Sequence, residues 1–287
     1  MGRGRLLIFG RGALSVSVLE APRRVIASHE LLWNLTLREL RTKYRRSILG
    51  WSWSMLNPLA TVAIYSFVFG HLFRAVPPTG DPSGRTAFAL YLLCGLLPWN
   101  FFVLVTTSGM TSVISNAALV RKVAFPREVL VFANSLHGIV QFGIEMSLLV
   151  IVLVFSGPEV LLWIPLVLVQ MLLILVFSSG VALAFSAGCV YFRDLSYLWQ
   201  IGSQMLFFAT PIVYTQDIVQ DRLPGWIVTT LEWSPIALFV RGFRATLYDG
   251  RFPGWLNLTG SAVAALVSLT LGWIIFSRLS RRFAEEL

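Results

Sequence analysis

Asn134, His137, Gln141 and Glu145 recur at intervals of three, four and four residues, which puts all four on one face of a helix within an otherwise apolar stretch. Such a face fits three uses: hydrogen bonding between helices, the lining of a polar pathway, or a proton relay through Glu145 and His137. The same two residues could act as acid and base in a membrane-embedded glycosyl- or acyltransferase. In lipid each unpaired polar group is costly, so this face must meet protein or water. Other chemistry is missing. There are two lysines: Lys43 follows Thr42 and Lys122 follows Arg121, so neither belongs to a G-x-x-x-x-G-K-[ST] phosphate loop. His29, His71 and His137 are scattered without zinc-ligand spacing, and there is no G-x-S-x-G elbow. Cys94 and Cys189 lie inside apolar runs and suggest neither a disulfide framework nor a metal cluster. No catalytic residue, metal or cofactor is expected in this chain.

The elements that must position these groups follow from composition. With 287 residues, 56% hydrophobic and 13% charged, and a mean hydropathy of +0.74, the chain is a polytopic membrane protein and not an ordinary soluble domain. The net charge of +9 does not indicate nucleic acid, because the basic residues collect at the edges of apolar runs. The start, MGRGRLLIFGRG, imitates a signal peptide, but Arg11 interrupts an apolar core of only about four residues where roughly 7–15 are needed. No cleaved leader is expected. Six stretches can cross a bilayer: Leu56–Phe73, Phe88–Thr107, Val129–Phe155, Leu161–Val190, Leu198–Tyr214 and Leu258–Phe276. Sorting Lys and Arg by loop places 17 on the side of the termini and 6 on the other, so both termini are expected in the cytoplasm. The expected division is a cytoplasmic region over 1–55 and an all-α, six-span domain over 56–287.

Ahead of the first span lies a basic amphipathic helix. Trp33, Leu37, Leu40, Tyr44 and Ile48 form one apolar stripe, and Arg38, Arg41, Lys43, Arg45 and Arg46 flank it, which suits a helix lying in the headgroup plane of an anionic leaflet. The segment 215–257 is too apolar for a free loop and too broken for a span, and is expected either to dip back into the membrane or to lie on its outer face. Within it Ser234 as N-cap, Pro235 at the first position and Gly250 beyond the end frame a short helix, Ile236 to Asp249. Trp226, Trp233 and Trp255 fit an outer interfacial belt. Asn57, Thr61 and Tyr65 on the first span, and Gln200, Gln204 and Phe207 on the fifth, combine amides, hydroxyls and rings that can hydrogen-bond to and stack on sugars, or glue helices together. Gly180, Ala184 and Gly188 form a small-residue ridge for close packing.

Between the second and third spans, Asn116–Glu128 is a short basic loop in which an exposed Phe125 among Arg121, Lys122 and Arg127 would make a docking surface. The turn Tyr191-Phe192-Arg193-Asp194 could dock likewise or simply cap its helices. The ordered set RELRTKYRRSILGWSWSMLNPL, GLLPWNFF, VRKVAFPREVL, VYFRDL, ATPIVY and SPIALFVRGFR resembles the permease subunit of polysaccharide-exporting ATP-binding-cassette transporters, the type-2 exporters of lipid-linked O-antigen, wall teichoic acid or mycobacterial galactan.

The resemblance covers the chain from about Leu31 onward. It implies a homodimer in the plasma membrane, bound to two copies of a separate ATPase that would hold ATP and Mg, with a lipid-linked polysaccharide as cargo. By the resemblance, Arg121, Lys122, Phe125, Pro126, Arg127 and Glu128 would belong to a coupling helix seated on the ATPase, and Trp33, Arg38, Arg41, Tyr44 and Arg45 to a helix at the inner interface among membrane lipids. Asn57, Thr61, Tyr65, Gln200, Gln204 and Phe207 would face the conduit. Arg241 and Arg244, one helical turn apart, depart from a purely apolar outer gate and would meet a lipid phosphate or headgroups. An exporter of lipid or drug with the same architecture, and an ion-coupled carrier, remain as alternatives.

Overall fold

The computed structural model describes residues 25, 27–43, 50, 52–72, 78–214 and 224–287. Every regular element among them is helical. In chain order these are α1 (His29–Lys43), α2 (Ser52–Tyr65, continued by π turns over Ser66–Leu72), α3 (Phe88–Ser115), α4 (Ala117–Lys122), α5 (Glu128–Ser156), α6 (Val160–Tyr191), α7 (Leu195–Ala209), α8 (Gly225–Glu232), α9 (Pro235–Phe243, continued by π turns over Arg244–Asp249), α10 (Trp255–Leu279), a 3-10 turn (Ser280–Arg282) and α11 (Phe283–Glu286).

Among the described residues four helices are long and apolar enough to cross a bilayer: α3, α5, α6 and α10 with its 3-10 extension. The first and fifth expected spans coincide with α2 and α7. The former widens into π turns, and the latter has 15 helical residues, about 22 Å, before the chain leaves the helix at Thr210. Two-thirds of the most apolar window of α3 is buried, against a third or less for the other three spans, so α3 is the central helix. Phe101 stacks on Phe142 of α5 at 4.6 Å, and Phe102 on Phe177 of α6 at 5.6 Å. Phe142 and Phe177 in turn meet Phe243 and Phe239 of α9, so rings fill the space between the spans and the short helix.

On the small-residue ridge of α6, Gly180 packs against α10, whereas Gly188 meets Leu195 of α7. A methyl group on Gly180 would lie 2.4 Å from the backbone of Ser268, and one on Gly272 only 1.9 Å from the Gly180 carbonyl oxygen, so both positions must be glycine for the backbones to touch. Hydroxyls within the spans bond largely to their own helix: Thr106 to Phe102 O at 2.7 Å, Ser135 to Val131 O at 3.1 Å, Thr270 to Leu266 O at 2.9 Å. These three therefore need no ligand.

The helix framed by Ser234 and Gly250 forms as the local signals dictate. Ser234 accepts from the Ala237 amide at 3.4 Å, Pro235 opens the helix, and Gly250 ends it with φ +74. Its last six residues widen into π turns, which the capping pattern does not announce.

Helix α1 corrects the expected single stripe. It packs against α5 through Leu35 and Thr36, both buried, while Trp33 remains 60% exposed. Leu37 and Leu40 are half-buried between these faces. Tertiary packing against α5 thus claims a second face of the helix and leaves Trp33 free for lipid. Tyr44, Arg45, Arg46 and Ile48 lie outside the described residues, as do the segment 215–223 and the side chains of Asn57, Thr61 and Tyr65.

Candidate functional site

Three regions carry groups beyond those needed for packing. They are arranged along α3, whose 28 residues span about 42 Å. One lies where α3 ends, one along its flank, and one where it begins.

At the end of α3 sit α4 and the following loop. Arg121, Lys122 and Val123 are exposed, whereas Phe125, Pro126, Arg127 and Glu128 are half-buried. Phe125 packs against the core and does not project as expected. Arg127 is committed inward as well: its guanidinium donates to the Ser280 carbonyl and lies 5.7 Å from the Phe283 ring centroid. Burial pushes its pKa down from the ordinary arginine range, with Glu128 and Tyr191 opposing. At the other end of the loop, Arg38 of α1 donates to the Asn116 side chain at 2.8 Å, while the same nitrogen also meets Glu39 at 2.7 Å. The loop is thus clamped between α1 and the C-terminal turn. Tyr191 completes the clamp, donating to the Leu279 carbonyl at 2.9 Å. Arg41 is exposed. The ring that does project at this end is Phe192, 72% exposed beside exposed Arg193 and Asp194.

Along the flank, α3 and α7 form a groove of about 260 Å³ lined by Trp99, Val103, Ser203, Gln204, Phe207 and Phe208. Trp99 and Phe207 lie 5.6 Å apart, and Phe207 and Phe208 5.3 Å apart in an edge-on pair. The ring ladder continues inward through Phe102 to Trp199, whose indole donates to Thr107 Oγ1 at 3.2 Å. Gln204 and Phe207 are thus brought together as expected, but Gln200 does not line this groove. Trp99, Ser203 and Phe208 were missed. Trp99 was hidden in an apolar run with no polar periodicity, although its place beside Pro98 and Asn100 was a signal.

Where α3 begins, a cavity of about 590 Å³ opens among α3, α9 and the start of α10. Arg241, Arg244 and Arg251 line it together with Tyr91, Trp233 and Asn257. Arg244 is buried: it donates to the Tyr91 carbonyl at 3.4 Å and to the carbonyls of Pro211 and Ile212, and its guanidinium lies 3.8 Å from the Tyr91 ring centroid. Gly95 makes this possible, since a methyl group there would come within 2.9 Å of Arg244 Nη2. Arg244 therefore ties the π turns to α3 and to the end of α7. Arg241 is different. Its Nη2 donates to the Glu232 carbonyl, and its Nε is buried without a hydrogen-bond partner.

Neighbouring Arg85, buried, braces the same end with bonds to the carbonyls of Leu247, Tyr248 and Gly157 at 3.0 to 3.2 Å. Thr246 joins α6 by donating to Gln170 Oε1 at 3.0 Å. The polar face of α5 points inward: His137 and Glu145 are 5% exposed, and Gln141 donates to Glu145 at 2.8 Å. Among the described residues no three His, Cys, Asp or Glu side chains gather as metal ligands.

A model of the ABC-2 type transporter matches residues 30–248, more than half of the chain. The chain belongs to the ABC-2 type transporter family. It is similar to the O-antigen export system permease protein RfbA of Klebsiella pneumoniae, 30% identical over 266 residues that span 90% of this chain and 95% of that protein. A protein of the same name from Myxococcus xanthus is 28% identical over 257 residues, again 90% and 95% of the two chains. The polysialic acid transport protein KpsM of Escherichia coli is 23% identical over 244 residues, 84% of this chain and 90% of that one. In this ABC-2 chain the matched stretch contains α1, the α4 loop, the α3/α7 groove, Arg241 and Arg244. Arg251 and Asn257, which complete the cavity, lie beyond it.

Proposed function

We propose that this chain is the membrane subunit of an ATP-driven exporter that carries a lipid-linked polysaccharide out of the cytoplasm. The observation that carries the reading is the alignment, over most of both chains, with permeases named for O-antigen export and polysialic acid transport. The α3/α7 groove supports it, because two phenylalanines, a tryptophan and an amide form a surface on which sugar rings stack and bond without any requirement for charge. His137 and Glu145 are buried within the helix packing, which speaks against their use on a large acceptor.

In this reading two copies of the chain face one another across α2 and α7, each crossing the membrane six times with both termini in the cytoplasm, as the 17-to-6 distribution of basic residues supports. The exposed rows Leu56, Leu59, Ile64 on α2 and Ile201, Met205, Phe208 on α7 then meet protein or cargo. Two separate ATPase subunits, holding ATP and Mg, seat against Arg121, Lys122 and the loop through Glu128 at the inner membrane. Hydrolysis there moves the clamped loop, and the loop moves α1 and α10 with it. Helix α1, with Trp33 and Arg41 outward, rests among anionic headgroups.

Affinity purification in mild detergent, with co-eluting proteins identified and ATP hydrolysis assayed, tests the reading. A stoichiometric ATPase, together with accumulation of cytoplasmic glycan when the chain is depleted, is the expected result. A preparation that keeps other membrane complexes intact but yields this chain alone, with glycan export unaffected, overturns it.

A further inference from the structure

The cavity at the start of α3 is cationic in an unbalanced way. Of its two carboxylates, Asp249 pairs with Arg251 at 3.2 Å, and Asp81 lies beside Asp249. Glu232 acts on Arg241 and Asp249 on Arg244 as attracting charges, and Asp249 is shared with Arg251. The hydrogen bonds of Arg244 all go to neutral carbonyls and its guanidinium lies on the Tyr91 ring, with Asp249 as the opposing charge, so its own charge is only partly compensated behind the cavity wall. Arg241 spends one nitrogen on Glu232 O and leaves a buried Nε unpaired, although a guanidinium has five donors to place. An unused donor beside a partly compensated cation, on a lining with three arginines and two aspartates, suits an anion that accepts several bonds at once.

We propose that this cavity binds a phosphoryl anion, with Arg241 donating to its oxygens and Arg244 fixed behind them as a second positive charge. The volume of about 590 Å³ exceeds what a bare phosphate fills, and Trp233 and Phe252 on the lining offer apolar faces to whatever the phosphoryl group is attached to. The export reading supplies one source, the phosphate that joins glycan to lipid; the site rests on that reading for its source only, since the chemistry of binding is independent of it. Membrane phospholipid and free phosphate are the other sources.

The test uses the full chain, purified with its ATPase and followed by thermal unfolding. It is titrated with inorganic pyrophosphate, farnesyl diphosphate, farnesol, and phosphatidylglycerol in mixed micelles. Farnesyl diphosphate is expected to raise the unfolding midpoint saturably, farnesol to have no effect, and Arg241→Gln to weaken the apparent affinity ~10- to 100-fold. Arg251→Gln, at an exposed residue, is a second variant for use should Arg241→Gln not fold. It removes a cation and frees the Asp249 carboxylate, and is expected to weaken binding about threefold or more. A response to pyrophosphate alone assigns the site to free phosphoryl groups, one that needs the isoprenoid assigns it to a carrier lipid, and an equal response to phosphatidylglycerol assigns it to bulk headgroups; each supports the site. No diphosphate-dependent shift, or affinity unchanged in the folded variants, overturns it. Loss of binding with the ATPase retained fails the site alone, whereas binding without any ATPase partner fails the export reading alone.

Discussion

Replacing Gly272 with alanine sets one methyl group against the backbone of a neighbouring span. The added carbon would lie 1.9 Å from the Gly180 carbonyl oxygen, where a carbon and an oxygen ordinarily approach to about 3.3 Å. Helices α6 and α10 must therefore part by roughly 1.4 Å, because the obstructing atoms are backbone and no rotamer change relieves them. A gap of that size forfeits a large share of the dispersion contacts along the seam, and overpacking of this kind costs about 1–3 kcal/mol. Alanine is otherwise favoured over glycine in a helix by ~0.5–1 kcal/mol, which fixes the sign of the control. Gly143→Ala on α5, with nothing within 4 Å of the new carbon, should be neutral or slightly stabilising. Gly180→Ala, meeting backbone at 2.4 Å, should fall on the destabilised side with Gly272→Ala. The double variant should lose less than the two losses combined, since the second methyl enters a seam already opened. Thermal unfolding of the purified chain in one detergent measures all four. Because α10 leads into Ser280 and Phe283, which hold Arg127, the same variants should also slacken the coupling between ATPase binding and hydrolysis. A Gly272→Ala protein as stable as its parent refutes the close crossing and, with it, the route from the loop into α10.

The other predictions concern the three regions along α3. Arg121→Glu with Lys122→Glu, both exposed, should abolish ATPase co-purification while shifting the stability of the chain by no more than ~0.5 kcal/mol; retained ATPase moves the docking surface elsewhere. Phe192→Ala should weaken the same association, measured by the ATPase concentration needed for half-maximal recovery, because Phe192 and not Phe125 is the ring that projects at that end. Arg127→Ala should instead leave association intact, cost about 1 kcal/mol after allowance for its half-exposed position, and raise hydrolysis that is not coupled to export. Gln204→Ala with Phe208→Ala should reduce glycan export several-fold with the ATPase complex preserved; equal loss of both would assign the groove to packing.

Much of this fold was legible because its signals are local. Ser234, Pro235 and Gly250 act on the residues beside them, and the helix they frame starts and stops accordingly. The ridge at Gly180 announced a close contact, but not that Gly272 would be opposite, since a glycine does not name its partner. Neither the π turns that widen α2 nor the end of α7 after 15 residues is legible in the sequence, because hydropathy counts apolar residues and is blind to backbone geometry.

Arg241 and Arg244 show most directly where a sequence stops speaking. They stand one turn apart on the same helix and read alike. Arg244 becomes a brace because carbonyls 33 and 153 positions away in the chain converge on it, and because residue 95 is a glycine. Arg241, three residues earlier, finds one carbonyl and keeps a buried nitrogen without an acceptor. The division of labour between a structural cation and a binding one is thus made by distant backbone. The polar face of α5 divides in the same way: its periodicity was visible, and what the fold adds is that His137 and Glu145 face neighbouring helices instead of a path. A cation in such a bundle does one of two things. Either the backbone surrounds it and it holds helices together, as at Arg244 and, apart from an unpaired Nε, at Arg85, or it stands with unspent donors at the wall of a space large enough for a ligand. Among the described arginines, Arg241 combines a buried unpaired nitrogen with a place on the cavity wall, and that combination suits it to hold an anion there.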